Sequence, residues 1–359
     1  MQKAFVGKQL FAALVLLLAM AWSGGAFALG IMDPFNVGAA MDGGAKQVAN
    51  GIPYGAGPRK VLDVYAPEKL SGPAPVLFFI YGGGWDHGDR GDYQFVGRAF
   101  ASRGFIVVIP DYRLYPQVKY PDFLDDNAQA MRWVQDNIAQ YGGDTDRVFM
   151  AGHSAGAYNA VMLALDDSYF HDAGVTLSIR GVAALSGPYD FYPFEYAEVQ
   201  NSFGSAPNPQ GTQPVNLVAP DDPPMFLASG THDPIVRIQN TQNLARLLRA
   251  QGNWVTEKYY DGLGHMDVVF SLGAMWRWRA PIFDDMLAFF QRFGAFPSGV
   301  PIIAAAPAPN PADTAKLKGV VSQIDSLMQP IGGHADYSAA PAAATADVTA
   351  PAAATAPSP

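Results

Sequence analysis

Gly152-His153-Ser154-Ala155-Gly156 is the stretch of this 359-residue chain with the clearest chemical potential. The apolar run from Val148 to Ala151 precedes it and reads as a short buried strand. Ala157 to Leu165, rich in small and apolar helix formers, follows it. A serine on a tight strand-to-helix turn needs small flanking residues, because larger ones would collide with the strand and the helix. The free N–H groups of the following helix then point at the place where an oxyanion would form. A serine hydroxyl is a weak nucleophile without a base, so an imidazole and an orienting carboxylate must be found elsewhere. Among the six histidines, His265 lies just past the expected strand 255–260. Asp233 lies just past the run 224–229, and the chain order is serine, acid, histidine, as in one known arrangement of this chemistry. Asp261, Asp267 and Asp190 are rivals for the acid. Asp233 is preferred for its place after the penultimate strand.

The elements that must position these side chains follow from periodicity. Residues 60–67 alternate and end at a proline, as a strand does. Residues 75–80 and 105–109 are continuously apolar, which suits strands buried on both faces. Residues 91–104 are expected to form a helix. Leu124, Ala128, Met131, Val134, Ile138 and Tyr141 recur at helical spacing, so 121–141 reads as an amphipathic helix. Further strands are expected near 180–185, 224–229 and 255–260, and helices at 237–251 and 276–293. Alternating strands and helices imply an α/β fold, a mostly parallel central sheet with helices on both faces. The Pro/Asn/Gln-rich excursion at 187–223 reads as a small cap insertion. Tyr81-Gly82-Gly83-Gly84-Trp85 follows a buried strand, and glycines there let backbone N–H groups approach a developing negative charge.

Composition sets the surroundings. Residues 1–28 carry Lys3 and Lys8, an apolar core from Leu10 to Trp22, and small residues before Ala28. That is the pattern of a secretory signal peptide, so an exported protein, periplasmic or secreted, is expected, with no membrane span once the signal is cleaved. The chain has no cysteine, which excludes disulfides, thiol chemistry and a cysteine-linked lipid anchor. A net charge of −9 argues against a nucleic-acid partner. Residues 29–58 read as an irregular N-terminal arm, and 59–296 as the catalytic domain. Residues 297–359 turn to Ala, Pro and Thr, the composition of a disordered tail. Leu317, Val320, Val321, Ile324, Leu327 and Met328 mark a candidate short helix at 313–329, and no partner for the tail can be named.

The spaced motifs together resemble the carboxylesterase and hormone-sensitive-lipase-like branch of the α/β-hydrolases. The resemblance covers about 60–293 and is carried by Leu-Asp-Val-Tyr-Ala-Pro at 62–67, the Gly-Gly-Gly-Trp loop with Gly88-Asp89, Asp-Tyr-Arg-Leu at 111–114 and Tyr-Pro at 120–121. It continues through Asp125, Arg132-Trp133, Gly-His-Ser-Ala-Gly at 152–156, Gly230 with Asp233, and Gly264-His265. It implies hydrolysis of a small-molecule carboxylic ester with no metal and no cofactor. Ser154 would be the nucleophile, His265 the base, Asp233 its partner, and the N–H groups of Gly83, Gly84 and Ala155 the oxyanion donors. The chain departs from the family pattern at Tyr81, where histidine is usual, and at Ala157, where glycine is frequent. A tyrosine keeps a hydroxyl, so a shifted glycine loop with an intact oxyanion hole is expected. Tyr81, Trp85, His153, Tyr112 and Tyr115 are candidates to line the substrate pocket, with Phe191 beside them. Short-chain or aromatic esters are expected because 187–223 is short for a large lid. Amide or formamide hydrolysis on the same residues, or a non-catalytic binding scaffold that kept the fold, are the alternatives.

Overall fold

A computed structural model of the chain describes Asn36 and residues 38–296. The expected signal peptide at 1–28, and the expected tail at 297–359 with its candidate helix at 313–329, lie outside the described residues. The strands are β1 (Ala45–Pro53), β2 (Val61–Pro67), β3 (Ala74–Ile80), β4 (Ile106–Pro110), β5 (Gly143–His153), β6 (Ile179–Leu185), β7 (Met225–Gly230) and β8 (Val255–Tyr260). They form one sheet in the order β1-β2-β4-β3-β5-β6-β7-β8. β1 and β2 pair antiparallel, as do β2 and β4, and every pairing from β4 to β8 is parallel. All seven residues of β3 are buried, as a parallel strand covered on both faces requires. The expected α/β-hydrolase architecture is present.

The helices are α1 (Gln94–Ala101), α2 (Asp122–Asn137), α3 (Ala155–Leu165), α4 (Ser168–Asp172), α5 (Ala197–Phe203), α6 (Gln239–Ala250), α7 (His265–Phe270) and α8 (Ile282–Arg292). α3 buries every residue from Ala155 to Leu163, so it is apolar all round, and it packs on β3, β5 and β6. α1 and α8 meet through Phe100, whose ring lies 4.9 Å from Phe283 and 6.0 Å from Phe290. The final helix starts later than its apolar pattern implies, at Ile282. Pro281 precedes it, and a proline fits at a helix start while it would break an interior.

One expectation is corrected. The arm at 29–58 is not irregular throughout, because Ala45–Pro53 is the edge strand β1. Its pairing with β2 slips between Gln47 and Ala49 and again between Ala49 and Ile52, and Gly51 has φ 65°. These bulges interrupt the alternation of two that marks a strand in sequence.

The cap at 187–223 is small and firmly tied. It holds α5 and two 3₁₀ turns, Pro209–Thr212 and Pro214–Asn216. The Asn240 side-chain carbonyl accepts from the N–H groups of Tyr189 and Asp190, both at 2.8 Å. That of Gln213 accepts from Phe191 at 2.7 Å and Tyr192 at 3.0 Å. Phe203 of α5 reaches down to Trp85, with ring centroids 4.7 Å apart.

Candidate active site

The register of the parallel strands brings four loops to one rim. Ile80 pairs with Gly152, His153 with Leu185, Leu185 with Ala228, and Gly230 with Tyr260. The loops after β3, β5, β7 and β8 therefore leave the sheet at its carboxyl edge, where α/β folds place their ligands. Those loops carry Gly82–Gly84, Ser154, Asp233 and His265 respectively.

The serine turn is set by steric necessity. Ser154 has φ 55° and ψ −124°, a backbone conformation strained for any residue with a side chain. A Cβ on Gly152 would stand 2.3 Å from the Gly156 carbonyl oxygen, and one on Gly156 would stand 2.1 Å from that of Ile80. No side chain fits at either position, so strand, turn and helix can close only with glycine there. The Ser154 N–H donates to Leu185 O at 2.9 Å, which anchors the turn to β6.

Ser154, His265 and Asp233 meet. His265 Nε2 lies 2.8 Å from Ser154 Oγ, and His265 Nδ1 lies 2.8 Å from Asp233 Oδ2. The His265 side chain is 6% exposed and that of Asp233 1%, so the pair is shielded from water. Asp233 Oδ1 accepts from the N–H groups of Ile235 and Val236, each at 2.9 Å. Burial raises the Asp233 pKa, but the hydrogen bond and charge of His265 and these two N–H groups outweigh it and hold the carboxyl below its usual range. Asp233 is thus an anion oriented on Nδ1, which leaves Nε2 to face the hydroxyl. The rival acids are engaged elsewhere. Asp267 accepts from Gly264 N–H and pairs with Arg279, Asp261 meets Thr231, and Asp190 meets Asn243.

The glycine loop presses against this group. A Cβ on Gly82 would lie 2.9 Å from Ser154 Cβ, and Gly83 and Gly84 have φ 126° and 57°. The His87 and Asp86 N–H groups both donate to Gly83 O at 3.1 Å, which closes the loop on itself. Among the described residues, the amides of Gly83 and Gly84 donate to no backbone acceptor. The Ala155 amide, first in α3, has no acceptor within its helix.

Three of the five pocket candidates are corrected. Tyr81 and Tyr112 are fully buried, and His153 is 1% exposed. Tyr81 lies under the glycine loop, its ring between Tyr93 and Tyr112, with centroids 5.8 and 4.8 Å away. Its hydroxyl donates to Asp111 Oδ1 at 3.1 Å and accepts from Arg59 Nη2 at 2.5 Å. Tyr112 donates to the Tyr81 carbonyl at 2.9 Å. His153 Nε2 faces the His265 carbonyl at 3.0 Å, so that nitrogen must carry the proton, and buried Nδ1 has no partner among the described residues. Burial, reinforced by His265, lowers the His153 pKa to about 3. Aromatic and imidazole rings just past buried strands are drawn into the packing beneath a loop rather than into its mouth. Trp85 is 3% exposed, with φ 63°, and its indole N–H donates to Asn159 Oδ1 at 3.0 Å. Tyr115 is partly exposed, and its N–H donates to the Trp85 carbonyl.

Sequence reasoning passes over Arg59, and over the part that Asp111 plays beneath the glycine loop. Asp111 accepts from the Arg90 N–H at 2.8 Å and from its guanidinium at 2.5 Å. These partners come from separate loops, and only the three-dimensional arrangement joins them.

The fold and this rim define a class: an α/β-hydrolase of the carboxylesterase, hormone-sensitive-lipase-like type. Residues 62–248 match the family model BD-FAE, and the chain belongs to that family. It is 29% identical over 266 residues to isoprenylcysteine alpha-carbonyl methylesterase ICME of Arabidopsis thaliana, an alignment covering 68% of this chain and 62% of the relative. It is 30% identical over 270 residues to esterase LipQ of Mycobacterium tuberculosis, covering 68% of this chain and 63% of that protein. The chain spans less than two thirds of the length of these curated relatives. Esterase B from Lactobacillus rhamnosis superposes with a TM-score of 0.64 at 22% identity, over 81% of this chain and 96% of that one, a likeness of fold.

Proposed function

We propose that this protein is an exported serine carboxylesterase that hydrolyses short-chain or aromatic esters through an acyl-enzyme on Ser154. The observation that carries the reading is the linear array of Ser154 Oγ, His265 and Asp233, with two hydrogen bonds of 2.8 Å. Ser154 Oγ attacks the ester carbonyl as Nε2 of His265 takes its proton, and anionic Asp233 steadies the imidazolium through Nδ1. The tetrahedral oxyanion accepts from the N–H groups of Gly83, Gly84 and Ala155, and the alkoxide leaves with the proton held on His265. Water then attacks the acyl-enzyme by the same steps in reverse order of partners, releasing the acid and restoring Ser154. No step calls on a metal or an organic cofactor.

Export is supported by the charged start, apolar run and small residues of 1–28. The preference for small or flat acyl groups is supported by the cap. Phe191 and Phe203 pack against Trp85 and Tyr158, so aromatic rings fill the space between the cap and the glycine loop. Among the described residues no helix is long and apolar enough to cross a membrane.

A fluorophosphonate probe and a series of p-nitrophenyl esters of increasing acyl length test the reading together. The probe should label wild type and not Ser154→Ala, and rates should fall as the acyl chain lengthens. A folded wild type that neither labels nor hydrolyses any of these esters would overturn the reading in favour of a non-catalytic scaffold.

A further inference from the structure

We propose that Arg59 is a positioning residue for the oxyanion hole, holding both feet of the glycine loop in one guanidinium fork. The inference rests on the esterase reading above and adds to it a residue from the far edge of the sheet. Arg59 stands in the turn between β1 and β2, a turn closed by Tyr54 N–H donating to Lys60 O at 2.9 Å. From there Nη2 donates to the Tyr81 hydroxyl at 2.5 Å and to the Gly88 carbonyl at 2.9 Å, while Nε donates to the Tyr112 carbonyl at 2.8 Å. Tyr81 is the first residue of the glycine loop and Gly88 closes it. A Cβ on Gly88 would stand 2.8 Å from Gly82 O and 2.9 Å from the Tyr81 ring, so the two feet touch.

Between those feet the loop has two kinds of restraint. Its internal backbone bonds are the two N–H groups of Asp86 and His87 on Gly83 O, and Trp85 moors its far side through Asn159 Oδ1 and the Tyr115 N–H. Gly83 and Gly84, at its apex, have the freedom of glycine and positive φ. A loop of that kind presents its N–H groups at a fixed place only if its ends are fixed, and both ends converge on Arg59. The third partner, Tyr112, reinforces the same foot, since its hydroxyl donates to Tyr81 O. Asp111 completes the arrangement: it accepts from Tyr81 and lies 3.8 Å from Arg59 Nη2, so the hydroxyl hands its proton one way and receives another. The side chain of Arg59 is 25% exposed, which makes it replaceable without opening the core. A lysine carries the charge but not the planar fork, and it would reach one of the three oxygens at a time.

Oxyanion donors matter more in the transition state than in the bound ester, so misplacing them lowers kcat more than it changes KM. The test compares wild type, Arg59→Ala, Arg59→Lys, Tyr81→Phe and the Arg59→Ala/Tyr81→Phe double variant on p-nitrophenyl acetate, with melting temperatures measured beside the kinetics. Removing a donor outright costs about two to three orders of magnitude, so loss of support should cost about tenfold in kcat for Arg59→Ala, with KM within about twofold. Arg59→Lys should fall by about threefold. Millimolar guanidinium should recover part of the loss in Arg59→Ala. The double variant should be less impaired than the product of the single effects, because both substitutions break one shared hydrogen bond. An Arg59→Ala enzyme with wild-type kcat, or a double variant whose losses multiply, overturns the proposal. If Arg59→Ala does not fold, Arg59→Lys decides, and wild-type kcat there overturns it equally. A wild type no faster than Ser154→Ala sinks the esterase reading and this inference with it, whereas an active wild type matched by Arg59→Ala sinks the inference alone.

Discussion

The serine turn and the glycine loop face each other across a few ångströms, yet they are held by different physics. The serine turn is built from one contiguous stretch, β5 through α3, and is fixed by repulsion. Prospective Cβ atoms on Gly152 and Gly156 would meet backbone oxygens at 2.3 and 2.1 Å, so the turn has one way to close. The glycine loop is fixed by attraction from afar. Tyr81 is tied to Asp111 on the loop after β4 and to Arg59 between β1 and β2. A nucleophile must be immobile with respect to its strand and helix, and local sterics achieve that. Oxyanion donors must be aimed from outside that unit, which requires partners distant in sequence.

Substitutions test this contrast directly, beginning with the acid that serves the serine. Asp233→Asn should keep the fold but favour the wrong His265 tautomer, lowering kcat by about three to four orders of magnitude in steady-state kinetics. Asp267→Asn should cost much less, because Asp267 holds Gly264 and Arg279 rather than the imidazole. The reverse outcome would reassign the acid.

Next comes the steric side. Gly156→Ala should destabilise by about 3 kcal/mol or more in chemical denaturation, since its methyl has only backbone to displace. Gly84→Ala should cost about 1 kcal/mol, the strain of a left-handed residue, because its methyl meets no atom closer than Asp86 Oδ1 at 3.4 Å. Equal costs at the two sites would erase the distinction drawn here.

His153 sits between the two regions and gives a pH signature. Its folded pKa, about 3, lies below the ordinary 6.5, so the unfolded chain binds the extra proton in that window. Stability is then complete above about pH 6.5 and is lost as pH falls, by about 1.4 kcal/mol per pH unit for one group. Between pH 6.5 and 5 that is about 2 kcal/mol. His153→Gln keeps a donor for the His265 carbonyl and does not titrate, so its melting temperature should fall less steeply over the same range. Parallel curves for the two proteins would refute the assignment. A more modest effect is that of Tyr81→Phe, which removes the hydroxyl and leaves the stacked ring. A kcat loss of about tenfold with little change in KM is expected, and an unchanged kcat would place the support of the loop elsewhere.

What could be read from the chain follows the same division. Ser154, Asp233 and His265 each stand within a few residues of a strand end, and local pattern is enough to locate the strands from β2 to β8 along the chain, though not their order in the sheet. The edge strand β1 was hidden by two register slips that erase its alternation. Tyr81, Tyr112 and His153 read as pocket residues in sequence because a ring on a loop looks the same whether it turns outward or under. Their burial depends on neighbours 22 to 112 residues away, as the bonds from Tyr81 to Arg59 and Asp111 and from His153 to His265 make plain. Arg59 carried no local signal at all, since a lone arginine in a glycine- and proline-rich turn is the commonest of surface features.

The way the cap is fastened has a consequence for anyone wishing to change what this protein accepts. Four consecutive amides, Tyr189 to Tyr192, hang on two side-chain carbonyls, those of Asn240 and Gln213. One of these, Asn240, belongs to α6 of the scaffold, and the other to the cap itself. The cap therefore behaves as a cartridge with a short, well-marked socket. A library that randomises 194–201 and 204–211, while leaving Phe203 on Trp85, those two carboxamides and the rim untouched, would search substrate shape apart from the chemistry, so that new specificities can be selected without rebuilding the catalytic apparatus.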